Sequence, residues 1–326
     1  MITTTEATID SSLIVDDTME KLNYLKSIYS WLIPVMIVIL TLAILGNGLI
    51  VLSAPLLTSP VSPYLKLCIS LAAADICVDA WLEMFRVSGM LTSDMHLFAL
   101  AINQFFGTMW PLKYKVMVTT RRIRWIVLSL WIVPLLFISD ENDGLRHESC
   151  NMLFYNRFPF RITIFLIFFV PLLATLLIYG LILSKLLKAK AEFEMVTRER
   201  RTIARRSNVQ SKLKLVWTTL LIVSTFSLSW GLCVLYFVLV CVDGCPFTYN
   251  VSLNFYLGLF LNSTVNCLVM LKLASNPFIY TLRIRAIKAS VVSFLATIFH
   301  RKTYPTKNTK MSVALLSSSS TNRPLL

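Results

Sequence analysis

The groups best placed to do chemistry in this 326-residue chain are polar side chains set inside apolar runs. The last long apolar run closes with Asn276-Pro277-Phe278-Ile279-Tyr280 and is followed by Arg283, Arg285 and Lys288. An amide, a proline-broken backbone and a phenol each cost free energy in hydrocarbon unless a partner inside a bundle satisfies them. Asn47 and Asp75 pose the same problem in two earlier apolar runs. Charges within a membrane are rarely incidental, although an acid stranded in a shortened hairpin would look the same. The chemistry this set supports is hydrogen bonding and charge pairing in a polar layer between helices, with Asn47, Asp75 and Asn276 satisfying one another around water. Lys272 is expected to pair with an acid in the bundle or to reach a polar cavity. No catalytic constellation and no metal-ligand spacing is visible, because His96, His147 and His300 lie far apart and at different predicted depths.

The elements that position these groups follow from composition. Mean hydropathy is +0.70, with 56% hydrophobic and 15% charged residues, which describes a polytopic membrane protein and not a soluble domain. A net charge of +14 would suggest nucleic acid in a soluble chain. Here the basic residues concentrate in 112–124, 185–214 and 283–326, while 1–30 and 140–161 lean acidic, so the positive-inside rule explains the charge and no nucleic-acid partner is expected. Spans are predicted at 30–53, 123–139, 159–184, 214–240 and 253–282. The region 63–110 is apolar but carries Asp75, Asp79, Glu83, Arg86 and Asp94. Both of its flanks must lie inside, so it crosses an even number of times, as two short helices near 63–83 and 88–109.

The predicted fold is all-α, a seven-transmembrane helix bundle with a short amphipathic helix after the last span. Residues 1–29 are expected as an extracellular tail without a cleavable signal, 30–282 as the bundle, 283–299 as a helix on the inner membrane surface, and 300–326 as a disordered cytoplasmic tail. The first span is expected to serve as an uncleaved signal anchor. Ser317–Ser320 are either phosphorylation sites or plain low-complexity tail.

Several motifs, in order and at matching depths, carry a resemblance. They are Gly46-Asn47, Leu71-Ala72-Ala73-Ala74-Asp75, Trp131, Pro171 with Tyr179, Phe226 with Trp230, and Asn276-Pro277-Phe278-Ile279-Tyr280. Over about residues 30–300 the chain resembles a rhodopsin-like (class A) G-protein-coupled receptor. The resemblance implies a plasma-membrane protein with its N-terminus outside, an extracellular ligand, a heterotrimeric G protein as partner, and no enzyme activity. It implies a polar core of Asn47, Asp75, Ser93 and Asn276 that is similar to a sodium- or water-filled site, and so a sodium ion near Asp75. It implies a switch of Phe226, Trp230, Tyr179, Pro277 and Tyr280, with Tyr179 as partner to Tyr280. Phe226 and Trp230 share a helix face one turn apart, which ordinary aromatic packing would also give. It places Asn103, Gln104 and Phe105 toward the G protein.

The chain departs from that pattern in informative ways. Gln104 stands where an arginine is expected, and glutamine is neutral and shorter. An ionic latch to the sixth span is therefore absent, and Lys212 rather than an acid lies near the partner position. Leu232 replaces the proline expected after Trp230. The hairpin between Asp75 and Gln104 is short, and Cys150 has no clear partner in it. An amine-binding acid is missing from the third span, with Arg86 at that count, and Met270 occupies the Schiff-base position of opsins. The ligand class stays open between a peptide, a lipid and another small molecule.

Three further features have two readings each. A Cys241–Cys245 disulfide is sterically allowed, and two free thiols fit equally. Asn250 begins a glycosylation sequon in an outer loop close to the membrane, while the sequon at Asn262 falls within the last span. The neutral Gln104 and shortened hairpin also fit a signalling-impaired receptor isoform or an incomplete gene model, acting through a receptor dimer. A small-molecule transporter would show internal repeats or broken helices in matching halves, and neither is found.

Overall fold

The structure is a computed structural model that describes residues 3–57, 61–78, 83–140, 158–195, 200–241, 246–248 and 254–299. Nine α-helices are described: α1 Thr3–Ser53, α2 Pro63–Val78, α3 Glu83–Met109, α4 Pro111–Met117, α5 Thr120–Asp140, α6 Phe158–Met195, α7 Arg200–Leu239, α8 Phe255–Arg283 and α9 Arg285–Ile298. Seven of them, all but α4 and α9, match the predicted spans. A parallel pair of two-residue strands, β1 Val240–Cys241 and β2 Phe247–Thr248, joins Val240 to Phe247 and Cys241 to Thr248 beyond α7.

The first helix differs from expectation. It starts at Thr3, so residues 3–29 continue the first span as helix instead of forming a separate tail. Local pairing supports the extension: Lys21 meets Asp17 at 2.6 Å one turn away. Tyr24 packs edge-on against Tyr256 with ring centroids 4.7 Å apart, and the Tyr256 hydroxyl donates to Glu20 at 3.3 Å. The N-terminal extension therefore leans on the first turns of α8, where Asn254 caps the helix by accepting from the Tyr256 amide.

Among the described residues, Asp17–Leu56, Phe158–Glu192, Val209–Leu239 and Phe255–Arg283 are long and apolar enough to cross a membrane by themselves. The other three spans fall short for physical reasons. The described α2 has 16 residues, α5 opens on Arg121, Arg122 and Arg124, and α3 carries a polar stripe. The stripe is tolerated because α3 runs through the interior: Ser88, Thr92, Ser93, Asp94, His96 and Gln104 are all buried. The outside is correspondingly apolar, with Trp31, Ile37, Val38 and Leu45 on α1 and Leu177 and Leu181 on α6 exposed, as the bilayer requires. Ile284 is extended and ends α8, after which α9 packs against α8 and the end of α1. Ile287 and Val291 of α9 are buried, and the Ser290 hydroxyl donates to the Ser53 carbonyl at the end of α1.

The undescribed residues include Cys245, Asn250, Cys150 and the tail from 300 onward, so the disulfide, sequon and tail expectations lie outside the described residues, as does the side chain of Cys241.

Candidate functional site

The Asn-Pro pair in α8 explains the Gly-Asn pair in α1. Pro277 has no N–H, so the Leu273 carbonyl one turn earlier loses its in-helix donor. Asn47 supplies the replacement: its Nδ2 donates to the Leu273 carbonyl at 3.1 Å and to Ala43 of its own helix at 3.0 Å. Gly46 makes the approach possible. A Cβ there would lie 2.8 Å from Cγ and 2.9 Å from Cβ of Pro277, too close for any side chain. Asn47 is thus tied to the backbone of α8, and no direct bond from it to Asp75 is present among the described residues.

Asp75 is fully buried and uses both oxygens. Oδ1 accepts from Lys272 Nζ at 2.7 Å and from Ser93 Oγ at 3.3 Å, and Oδ2 accepts from Asn276 Nδ2 at 2.5 Å. Lys272 is 3% exposed, and its ammonium also lies 5.1 Å from the centre of the Phe226 ring. Asn276 and Lys272 sit one turn apart on α8, which brings both donors to one carboxylate. These residues do not fit the sodium ion expected near Asp75. An ion there would need the oxygen that the ammonium already holds, and it would face a fixed like charge. Two such charges about 4 Å apart repel by about 4 kcal/mol at the effective dielectric of protein sites.

The inner ends of α3 and α7 are joined by neutral groups. Gln104, 6% exposed, turns inward and donates from Nε2 to Thr219 Oγ1 at 2.7 Å. Thr219 Oγ1 also lies 3.3 Å from the Tyr64 hydroxyl and donates to the Leu215 carbonyl at 3.0 Å. One turn further in, Lys212 Nζ donates to the Gly107 carbonyl at 2.9 Å. Gly107 is in the last turn of α3, where carbonyls lack in-helix donors and the helix dipole favours a cation. The missing ionic latch is thus replaced by an amide–hydroxyl bond and a lysine on a helix end. Of the three residues expected to face a G protein, Gln104 is buried against α7, the Asn103 oxygen accepts from Tyr114 of α4 at 2.9 Å, and Phe105 packs against Trp110. Tyr179 and Tyr280 are both fully buried, but they do not bond each other. Neither the Tyr179 nor the Tyr280 hydroxyl has a hydrogen-bond partner among the described residues.

Toward the outer side, Trp230 and Phe226 are buried on one face of α7, as their spacing predicts. Phe226 stacks on Phe168 of α6 with centroids 5.6 Å apart and has Lys272 on α8 beside it. Helix α7 is continuous through Gly231 and Leu232. Above it, a cavity of about 310 Å³ is lined by Met90, Arg161, Trp230, Tyr236, Asn262 and Asn266, among others. Arg161 donates to the Phe237 and Val240 carbonyls at the end of α7, and its guanidinium lies 4.4 Å from the Phe237 ring centre. The inner end holds a second cleft, of about 560 Å³, lined by Lys212, Lys214, Arg283 and Arg285 with Gln210 and Thr218.

Sequence reasoning missed two features. Trp131 Nε1 donates to Ser70 Oγ at 2.9 Å, Ser70 donates to His96 Nε2 at 2.7 Å, and His96 Nδ1 donates to the Thr92 carbonyl at 2.7 Å. This chain pins α2, α3 and α5 together. His96 stood in the sequence as an isolated histidine, and only its place on the buried stripe of α3 could have flagged it. Asp94 is fully buried, and neither oxygen has a hydrogen-bond partner among the described residues. It lies one turn below Met90, on the cavity side of α3.

Residues 77–280 match the family described as 7 transmembrane receptor (rhodopsin family). The chain belongs to that family: it is a rhodopsin-like G-protein-coupled receptor, a multi-pass membrane protein and not an enzyme. Among curated relatives, adenosine receptor A2b of Mus musculus is 26% identical over 239 residues, covering 60% of this chain and 70% of that receptor. Adenosine receptor A2a of Homo sapiens is 26% identical over 326 residues, covering 88% and 77%. The alpha-2B adrenergic receptor of Cavia porcellus is 26% identical over 139 residues, covering 33% and 31%.

Proposed function

We propose that the chain is a plasma-membrane receptor with its N-terminus outside, which passes an extracellular ligand signal to a heterotrimeric G protein by a shift between two packings of the bundle. The observation that carries this reading is a series of buried contacts set at successive depths between the outer cavity and the inner tie. Trp230 floors the cavity, Phe226 lies one turn below it against Lys272, Lys272 holds Asp75, and Gln104 and Thr219 tie α3 to α7 at the inner end. A ligand that moves Trp230 moves the packing around the Asp75 cluster, and the inner tie is the part that must open. The basic inner cleft beside Lys212 and Arg283 is the surface offered to the G protein.

The cavity is at the small end of ligand sites, so its size favours a small molecule with hydrogen-bonding groups over a peptide. Relatives that match at equal identity are named for adenosine and for adrenergic signalling, so they do not fix the ligand. A binding screen on the purified chain addresses it.

Gln104 supports a second reading, in which the receptor signals weakly or not at all. The neutral tie is intact and buried, and no central cation is offered at that position. Nucleotide exchange in membranes at matched surface expression separates the two. Low basal exchange in the natural chain, rising in Gln104→Arg, supports the receptor reading, because among the described residues no acid is paired at that position to hold an arginine in the closed packing. No exchange in either form, with both folded at the surface, supports the non-signalling reading. Robust exchange in the natural chain removes it.

A further inference from the structure

We propose that Lys272 is the resident cation of the bundle core, so that the polar site around Asp75 works without an alkali metal ion. The inference rests on the receptor fold and not on G-protein coupling, and its test uses the isolated chain.

Three observations carry it. First, the ammonium holds Asp75 Oδ1 at 2.7 Å while Asn276 holds Oδ2 at 2.5 Å, so both carboxylate oxygens are engaged by protein donors. Second, the pair is closed to solvent, with the two side chains 2% and 0% exposed, so the lysine cannot give way by snorkelling to water as surface lysines do. Third, the ammonium is covered on another side by the Phe226 ring at 5.1 Å. A cation on a four-carbon tether is thus placed between an acid on α2, an aromatic ring on α7 and its own helix α8. Lys272 and Asp75 thus form a fully buried ion pair within the spanning core.

The consequence is a change of device. A mobile ion leaves the bundle when its site collapses, and its binding depends on its concentration. A tethered ammonium does neither. It can only move with α8, and any displacement of Phe226 moves the ring that covers it. Lys272 is therefore a positioning residue that couples the packing of Phe226 to Asp75 at fixed stoichiometry. The like charge that excludes sodium should weaken it about a thousandfold relative to the same acid without the lysine, from the repulsion of two unit charges about 4 Å apart.

The test is thermal unfolding of the purified full chain in sodium chloride, potassium chloride and choline chloride at equal ionic strength. The natural chain is expected to unfold at the same temperature in all three. Lys272→Asn keeps the acid, removes the charge and adds a carbonyl oxygen, and it should gain a sodium-specific rise of about 3 °C that is lost in Lys272→Asn with Asp75→Asn. Lys272→Gln serves where Lys272→Asn yields no folded protein. A sodium-specific rise in the natural chain that Asp75→Asn abolishes overturns the proposal, as does a folded Lys272 variant that stays indifferent to sodium.

Discussion

Cutting the Asp75–Lys272 pair from either side should be far more damaging than removing both charges. Lys272→Met leaves a carboxylate fully buried with only Asn276 and Ser93 as donors. Asp75→Leu leaves an ammonium with the Phe226 ring as its remaining described neighbour. Removing one partner of a buried pair costs about 3–5 kcal/mol, because the survivor is an uncompensated charge. Removing both leaves no buried charge, and replacing such pairs by apolar residues of similar size is often neutral or stabilising. Here the double variant still orphans the Asn276 amide, which costs about 1–3 kcal/mol. The two single losses therefore sum to about 6–10 kcal/mol against about 1–3 for the double, a coupling of at least about 3 kcal/mol. At about 1.5 °C per kcal/mol for 326 residues, each single variant should unfold about 6 °C early, and the double should recover most of that. A thiol-reactive dye reads this in a background where the other cysteines are replaced by serine or alanine, because Cys68 is fully buried in the core and reacts only when the bundle opens, whereas Cys233 and Cys267 are half-buried. Additive losses, with the double variant as unstable as the sum of the singles, would refute the pairing.

Two other sites give independent checks. Asn47→Ala leaves the Leu273 carbonyl without its donor, and Gly46→Ala drives a methyl into the Pro277 ring. Each should cost about 1–3 kcal/mol in the same assay, while Gly48→Ala, which has open space at its Cβ, should not. Asp94→Leu removes a buried acid with no described partner and should raise stability by about 1–3 kcal/mol. A fall instead would mean that the acid has a partner in the working receptor.

Much of this was legible in the sequence, for identifiable reasons. Charge bias and span parity put two crossings in the crowded 63–110 stretch; two helices are found there, but α3 begins at Glu83, so the turn expected at Glu83–Gly89 is helical instead. Lys272 reads as an internal cation in need of an acid because it lies in an apolar run, and its distance from Asn276 puts the two on one face. What stayed hidden depends on groups that look ordinary in a sequence. Thr219 is one threonine among several in α7, and nothing local marks it as the acceptor for Gln104. A lysine on a backbone carbonyl, as at Lys212 and Gly107, leaves no pattern because the carbonyl is present at every residue. The helical extension of residues 3–29 was masked by polarity that reads as a tail, although Asp17 and Lys21 are spaced for a helical pair. The sodium expectation came from resemblance, and the Lys272 ammonium on Asp75 is the residue that speaks against it.

In the proposed mechanism the bundle has two packings separated by the inner tie of α3 and α7. The most direct measurement is the distance between labels at Lys113 and Trp217, both exposed and outside the inner cleft, introduced as unnatural amino acids so that the native cysteines stay in place. In lipid nanodiscs the natural chain should give one short distance. Thr219→Val, which removes the hydroxyl holding Gln104 while keeping shape, should add a longer population, and nucleotide-free G protein should enlarge it. A single unchanged distance in both proteins, with and without the G protein, would contradict the account.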